Sequence, residues 1–275
     1  NCNKRGGYAH NAQEMADERK ERICKNSAIP SKLKFECLQH IRIDQWSPEQ
    51  ISGVMRIKGE KVSHTTIYTW VKEDRQAGGS LYEHLRHKGH RRKSNPYKSA
   101  SARNIPNRTS IKDRPTEANG KRFGDWEMDL IIGKNGFQAI LVLVERSTGY
   151  VIIHRLKHGK KAKELAKEVN RLLFAYRAEG VLTITTDNGS EFSQHQLITK
   201  GLNGVVVYFA DPYASWQKGS VENTNKLIRQ YIPKYSDFDE ISPHDIMSVQ
   251  KKINNRPRKK VNYSTPKIEF FRHFA

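Results

Sequence analysis

The chain has 275 residues, enough for one large domain or two, and its 49 lysines and arginines against 29 acids leave a formal charge of +20. Both halves carry the excess, so a basic tail does not explain it, and the implied partner is a polyanion or an anionic surface. No apolar run approaches the roughly 20 residues that span a bilayer, which favours nucleic acid over membrane, and three cysteines without close pairs (Cys2, Cys24, Cys37) argue against a disulfide framework and for a reducing cytoplasm.

The first residue is Asn1, as expected of a fragment or a processed chain. Residues 8–25 read as a charged helix. Residues 31–43 place Leu33, Cys37, Leu38 and Ile41 at helical spacing, so they can share a buried face. The next stretch is WSPEQISGVMRIKGEKVSHTTIYTWVKED. Ser47, Pro48 and Gln50 form a capping-box start, Ile51, Val54 and Met55 supply an apolar stripe, and Gly59 stops the helix. Ser63 caps a second helix with Ile67, Trp70 and Val71 turned inward, leaving His64, Thr65, Thr66, Tyr68 and Thr69 outward. Two short helices joined by a glycine-containing turn make a helix-turn-helix whose second helix would enter the major groove, although an ordinary helical hairpin has the same pattern. Residues 1–77 are therefore taken as a helical DNA-binding region.

Residues 78–120 lack periodicity and read as a basic linker. Arg91, Arg92 and Lys93 in it suit a phosphate backbone. From Phe123 the pattern changes. DWEMDLIIG, QAILVLVERSTG and YVIIHRL read as adjacent antiparallel strands, and residues 160–179 as an amphipathic helix. VLTITT is a fourth strand, a short helix follows, GVVVYF is a fifth strand, and a helix begins near Ser220. The expected layout is α/β, a mixed five-stranded sheet with helices on its faces.

Acids fall on three of these elements. Asp129 lies within an otherwise apolar strand, where an unpartnered carboxylate is costly, so something must pair with it or bind to it. Asp187 ends the fourth strand inside TTDNGSEF, where turn chemistry alone would also explain it. Glu222 lies in the first turn of the helix after Gly219, and Glu222, Lys226 and Arg229 recur along one face of that helix.

GDWEMDLIIG, TDNGSEF, PYASWQKGSVENTNKLIRQYIPK and NNRPRKKVNYSTP, in this order, resemble the IS-thirty family of bacterial insertion-sequence transposases. That family lies within the superfamily of DDE transposases and retroviral integrases. The resemblance is dense from Ile105 onward and looser over residues 47–72. It implies a ribonuclease-H-like catalytic domain at 121–275. The implied triad is Asp129, Asp187 and Glu222, serving as both catalytic residues and metal ligands. Two Mg²⁺ or Mn²⁺ ions about 4 Å apart would be held there for strand cleavage and strand transfer. The implied partners are double-stranded DNA, both terminal inverted repeats and target, and a second copy of the chain in a homodimer or higher assembly, within the bacterial cytoplasm at the nucleoid.

Members of the family usually carry a further N-terminal helix-turn-helix, so terminal-repeat recognition is expected to be incomplete in this chain. Met128 stands where many relatives have a small residue, and alternation points it away from the Asp129 face. Glu127 shares the Asp129 strand face and reads as a supporting or spare ligand. Asn188 and Asn223 read as ligand-orienting or phosphate-touching, and Lys226 with Arg229 as DNA contacts at the mouth of the site. Trp216 reads as a lid or core tryptophan or as a stacking surface for an unpaired base. Arg256, Arg258, Lys259 and Lys260 read as a DNA backbone contact. The rivals are a repressor with an inactive core and a plain nuclease of the same fold; the three acids argue against the first and the helix-turn-helix against the second.

Overall fold

The computed structural model describes residues 14–18, 29–88 and 105–275, apart from residue 213 and the side chain of Ser215. Residues 14–18 are helical; the rest of the expected 8–25 helix, together with Arg91, Arg92 and Lys93, lies outside the described residues.

The helical region comprises α1 (Ser31–Arg42), α2 (Pro48–Ile57) and α3 (His64–Gln76). The expected caps form. The Gln50 amide N–H donates to Ser47 Oγ at 3.3 Å, the Ser47 N–H donates to Gln50 Oε1 at 2.8 Å, and Ser63 Oγ accepts from the Thr66 N–H. Gly59 ends α2 at φ +85, a left-handed conformation that costs glycine little. Leu33, Cys37, Ile41, Ile51, Met55, Ile67 and Val71 build one small core. Burial pushes the Cys37 thiol up to about 11, which leaves it an inert core residue. Leu81, expected in the linker, joins this core, so the helical unit runs past residue 77.

The second unit is built on a six-stranded sheet, order β1-β6-β5-β2-β3-β4. Its strands are β1 (Thr109–Ser110), β2 (Asp125–Ile132), β3 (Ala139–Glu145), β4 (Val151–Leu156), β5 (Thr183–Thr186) and β6 (Val206–Phe209). The β2-β3-β4 meander is antiparallel, and β5, β6 and β1 add in parallel. This is the mixed sheet of a ribonuclease-H-like core with one strand more than the five expected. The extra strand is β1, two residues long and paired to the outer edge of β6. Ile105 is also buried in the core of this unit, so the unit begins well before residue 121.

Alternation along β2 sorts the two faces. Trp126 and Met128 pack with α4 (Ala162–Leu173), α5 (His195–Gly201) and Phe270 of α8 (Pro266–Arg272). Met128 thus points away from the Asp129 face, as alternation requires. Ile131 packs on the other side with α6 (Gly219–Tyr231) and α7 (Pro243–Asn254). Asp125, Glu127 and Asp129 share that second face by alternation, and Glu127 and Asp129 contact α6, whereas Asp125 pairs with Arg122 and Thr183.

The two units touch through the chain after α7. Gln50 Nε2 donates to the Pro257 carbonyl at 2.9 Å, Arg256 Nη2 donates to the Gln45 carbonyl at 2.7 Å, and Lys259 pairs with Glu49. Gly53 of α2 lies beneath the Tyr263 ring, where an added Cβ would stand 2.1 Å from a ring carbon. On an exposed helix Gly→Ala would be favourable by about 1 kcal/mol. Here Gly53→Ala is expected to drive the ring off α2 and loosen the contact, read as faster amide hydrogen exchange over residues 256–264. Unchanged protection there would mean that the ring contact does not hold the units together.

Candidate active site

The pairing of β2 with β5 is parallel, with Glu127 opposite Thr185. Two residues further along each chain, Asp129 and Asp187 come side by side at the end of β5, since adjacent strands lie about 4.8 Å apart. Asp187 forms the turn that its sequence context suggested and also meets a lysine. Its Oδ1 accepts from the Gly189 N–H at 3.0 Å, an Asx turn, while Oδ2 accepts from Lys218 Nζ at 2.9 Å.

Lys218 is the residue that the sequence did not reveal. It ends a single 3-10 turn (Ser215–Lys218) just before α6, and its side chain is only 7% exposed. The ammonium lies 2.9 Å from Asp187 and 3.5 Å from Asp129 Oδ1, bridging the two carboxylates. Burial raises the Asp129 carboxyl above its ordinary range; Lys218 opposes the rise and the Asp187 charge adds to it. Burial alone would lower the Lys218 ammonium, but the Asp129 and Asp187 charges outweigh it and hold it above its ordinary value.

Helix α6 brings the remaining groups. Asn225 Nδ2 donates to Asp129 Oδ2 at 2.8 Å, and Asn225 Oδ1 is buried without a partner. Glu222 lies three residues earlier on the same helix and faces an open cleft of about 650 Å³ shared with Arg86, Asn223, Asn225, Lys226 and Arg229. The three acids do not converge on one point. Among the described residues no group of three histidines, cysteines or acids is close enough to hold an ion. The charge of Asp129 and Asp187 is met by Lys218, and like charges gain nothing by closer approach.

Glu127 is no spare ligand. It is 1% exposed and has both oxygens engaged: Oε1 accepts from Arg146 Nε at 2.8 Å, and Oε2 accepts from the Val221 N–H at 2.8 Å. The second contact places a carboxylate at the N-terminus of α6, where unpaired N–H groups and the helix dipole favour negative charge. It thereby fixes the turn that carries Glu222.

Other predicted residues are placed as follows. Asn188 spans loops, accepting from Arg108 and donating to the Ala210 carbonyl at 2.6 Å. Asn223 is exposed and accepts from Arg86 Nη2 at 3.3 Å. Lys226 is exposed beside the cleft, whereas Arg229 donates to the carbonyls of Ile132 and Pro233, tying the end of β2 to the end of α6. Trp216 is 75% exposed, so it is not a core tryptophan. His64, Thr65, Thr66 and Tyr68 lie on the outward side of α3, Thr66 partly covered and the others exposed.

The basic run departs most from expectation. Arg256 is 2% exposed and donates to Gln230, Tyr231 Oη and the Gln45 carbonyl. Arg258 is turned inward, and burial, with Arg256 and Arg86 nearby, pushes its guanidinium down to about 10. Arg256 is thus enclosed between the two units, while Arg258 is half-buried and donates to the Ile253 carbonyl at 3.3 Å. Lys259 remains at the surface, and Lys260 donates to the Gly120 carbonyl at 2.9 Å.

Carboxylate and amide oxygens are the hard donors that Mg²⁺ and Mn²⁺ prefer. Asp129 and Asp187 already aim one oxygen each at a shared positive charge, and Asn225, whose amide nitrogen bonds Asp129, carries an orphaned buried oxygen. These donors fit a divalent cation. No helix among the described residues is long and apolar enough to cross a membrane.

The family model described as the integrase core domain matches residues 115–215. The chain is 42% identical over 276 residues to the transposase for insertion sequence element IS4351 of Bacteroides fragilis, covering 98% of this chain and 83% of that protein. It is 35% identical to the transposase InsI for insertion sequence element IS30A of Escherichia coli (strain K12), covering 93% of this chain and 68% of that one. Among solved structures, the catalytic core domain of BIV integrase aligns with a TM-score of 0.43 at 22% identity, over 56% of this chain and 97% of that one.

Proposed function

Because the chain belongs to the IS-thirty family of insertion-sequence transposases, we propose that Asp129, Asp187 and Glu222 are its DDE triad and that it cuts and joins DNA strands at the ends of its element. The observation that carries this reading is the β2–β5 register, which sets Asp129 beside Asp187 around one positive charge at the foot of α6. Bound at these carboxylates, two Mg²⁺ or Mn²⁺ ions would activate the attacking oxygen and relieve charge on the leaving oxygen.

The protein's own residues do the rest. Asp129 on the central strand, Asp187 at the end of β5 and Glu222 on α6 are the residues that would hold the ions. Asn225 orients the Asp129 carboxylate through its amide. Glu127 holds the first turn of α6, so Glu222 presents its carboxylate from a fixed helix end. Lys226, exposed beside the cleft, would take a backbone phosphate. Trp216, two residues ahead of Lys218, offers an exposed face on which an unpaired base can stack. The outward side of α3, with His64, Thr65, Thr66 and Tyr68, would read the terminal inverted repeat in the major groove. Pairing two element ends calls for at least two copies of the chain.

The test is cleavage of a labelled duplex carrying the element's own terminal repeat, with Mg²⁺ or Mn²⁺, by the chain and by Asp187→Ala. The expected result is metal-dependent nicking at the element end that the substitution abolishes while DNA binding persists. Equal cutting by both proteins, or binding without cutting by either, would remove the triad from this reading.

A further inference from the structure

Lys218 sits where two of the three proposed ligands meet, and it is nearly buried there. Lysine ammoniums are strongly hydrated and seldom buried unless paired. This one contacts Asp187 at 2.9 Å and Asp129 at 3.5 Å, so it places a positive charge between the two carboxylates. It is covalently placed for this, being the last residue of a 3-10 turn immediately before Gly219 opens α6. A carboxylate oxygen cannot give the same lone pairs to an ammonium and to a divalent ion.

We propose that Lys218 is a positioning residue that acts as an internal counter-ion: its ammonium holds Asp129 and Asp187 together and competes with the divalent cation for their oxygens. This rests on the metal reading of the site given above. The competition has two consequences. Without Lys218 the two carboxylates face each other with no charge between them, so the metal-free protein is weakened. The same loss removes a competitor, so the cation binds more tightly.

The experiment measures Mn²⁺ binding by calorimetry, and melting in a chelator, for the full chain, Lys218→Met and Lys218→Arg. Lys218→Met is expected to bind Mn²⁺ about tenfold or more tightly, since a unit charge a few ångströms away is removed from the site. It should melt a few degrees lower in chelator, and added Mn²⁺ should close that gap. Lys218→Arg keeps the charge and should bind Mn²⁺ as weakly as the natural chain. Should Lys218→Met fail to fold, the double variant Lys218→Met with Asp187→Asn, which relieves the repulsion, is compared with Asp187→Asn alone; removal of the lysine should again tighten binding. Equal or weaker Mn²⁺ affinity in Lys218→Met, with melting unchanged, would overturn the proposal while leaving the metal site standing. If neither the natural chain nor Lys218→Met binds Mn²⁺, the metal reading itself falls, and this inference with it.

Discussion

Asp129→Asn is expected to lower single-turnover strand cleavage by about a thousandfold or more, the scale of several kcal/mol of lost transition-state stabilisation. The substitution is close to isosteric. Lys218 keeps its 2.9 Å contact with Asp187, and the Asn225 amide can turn its oxygen toward a new donor at position 129. Melting should therefore shift only a few degrees, and duplex binding, proposed to rest on α3 and on basic groups elsewhere, should persist. The measurement is the rate on pre-nicked and intact terminal-repeat duplexes at saturating protein. A rate within tenfold of the natural chain would take Asp129 out of the chemistry and leave it a buried structural acid.

Glu127→Ala should act differently. It leaves Arg146, only 12% exposed, without its carboxylate and strips the Val221 N–H of its acceptor. Breaking one side of such a buried pair costs about 3–5 kcal/mol, which for a domain of this size lowers the melting temperature by on the order of 10 °C. Glu127→Gln can still accept from Val221 and should fall between the two. Cleavage should drop in Glu127→Ala even below its melting transition, because the first turn of α6 loses the tether that aims Glu222. A thermal denaturation series with cleavage measured well below each transition separates the two effects. Full activity and natural stability in Glu127→Ala would mean that the helix start is held by packing alone.

Most of the second unit was legible in the sequence for a simple reason. Its strands are apolar runs bounded by turn residues, and its first helix has a clear stripe, so local pattern and tertiary role agree. The exceptions have separate causes. Strand β1 is too short to show a period. Helix α7 is not among the expected elements, although Ser242, Pro243 and Asp245 form a complete capping box. The acids were legible because carboxylates are conspicuous in apolar strands. Lys218 was not, because its burial comes from residues 31 and 89 positions away, and locally it is one more base in a basic chain. Arg256 misled for the same reason: a cluster of bases suggests a polyanion, but its partner is a backbone carbonyl 211 positions away.

The parallel pairing of β2 and β5 has a consequence for how this protein can fail. Side chains alternate every residue, so a slip of one position would turn Asp187 to the opposite side of the sheet and carry Ile184 out of the hydrophobic layer with it. The two acids behave like alignment marks printed across a seam. A copy assembled out of register would lose the proposed active site in the same stroke as its core, so misassembly would yield an inert molecule rather than a badly aimed one. For a member of a transposase family, that coupling of correct assembly to an intact site is itself a safeguard.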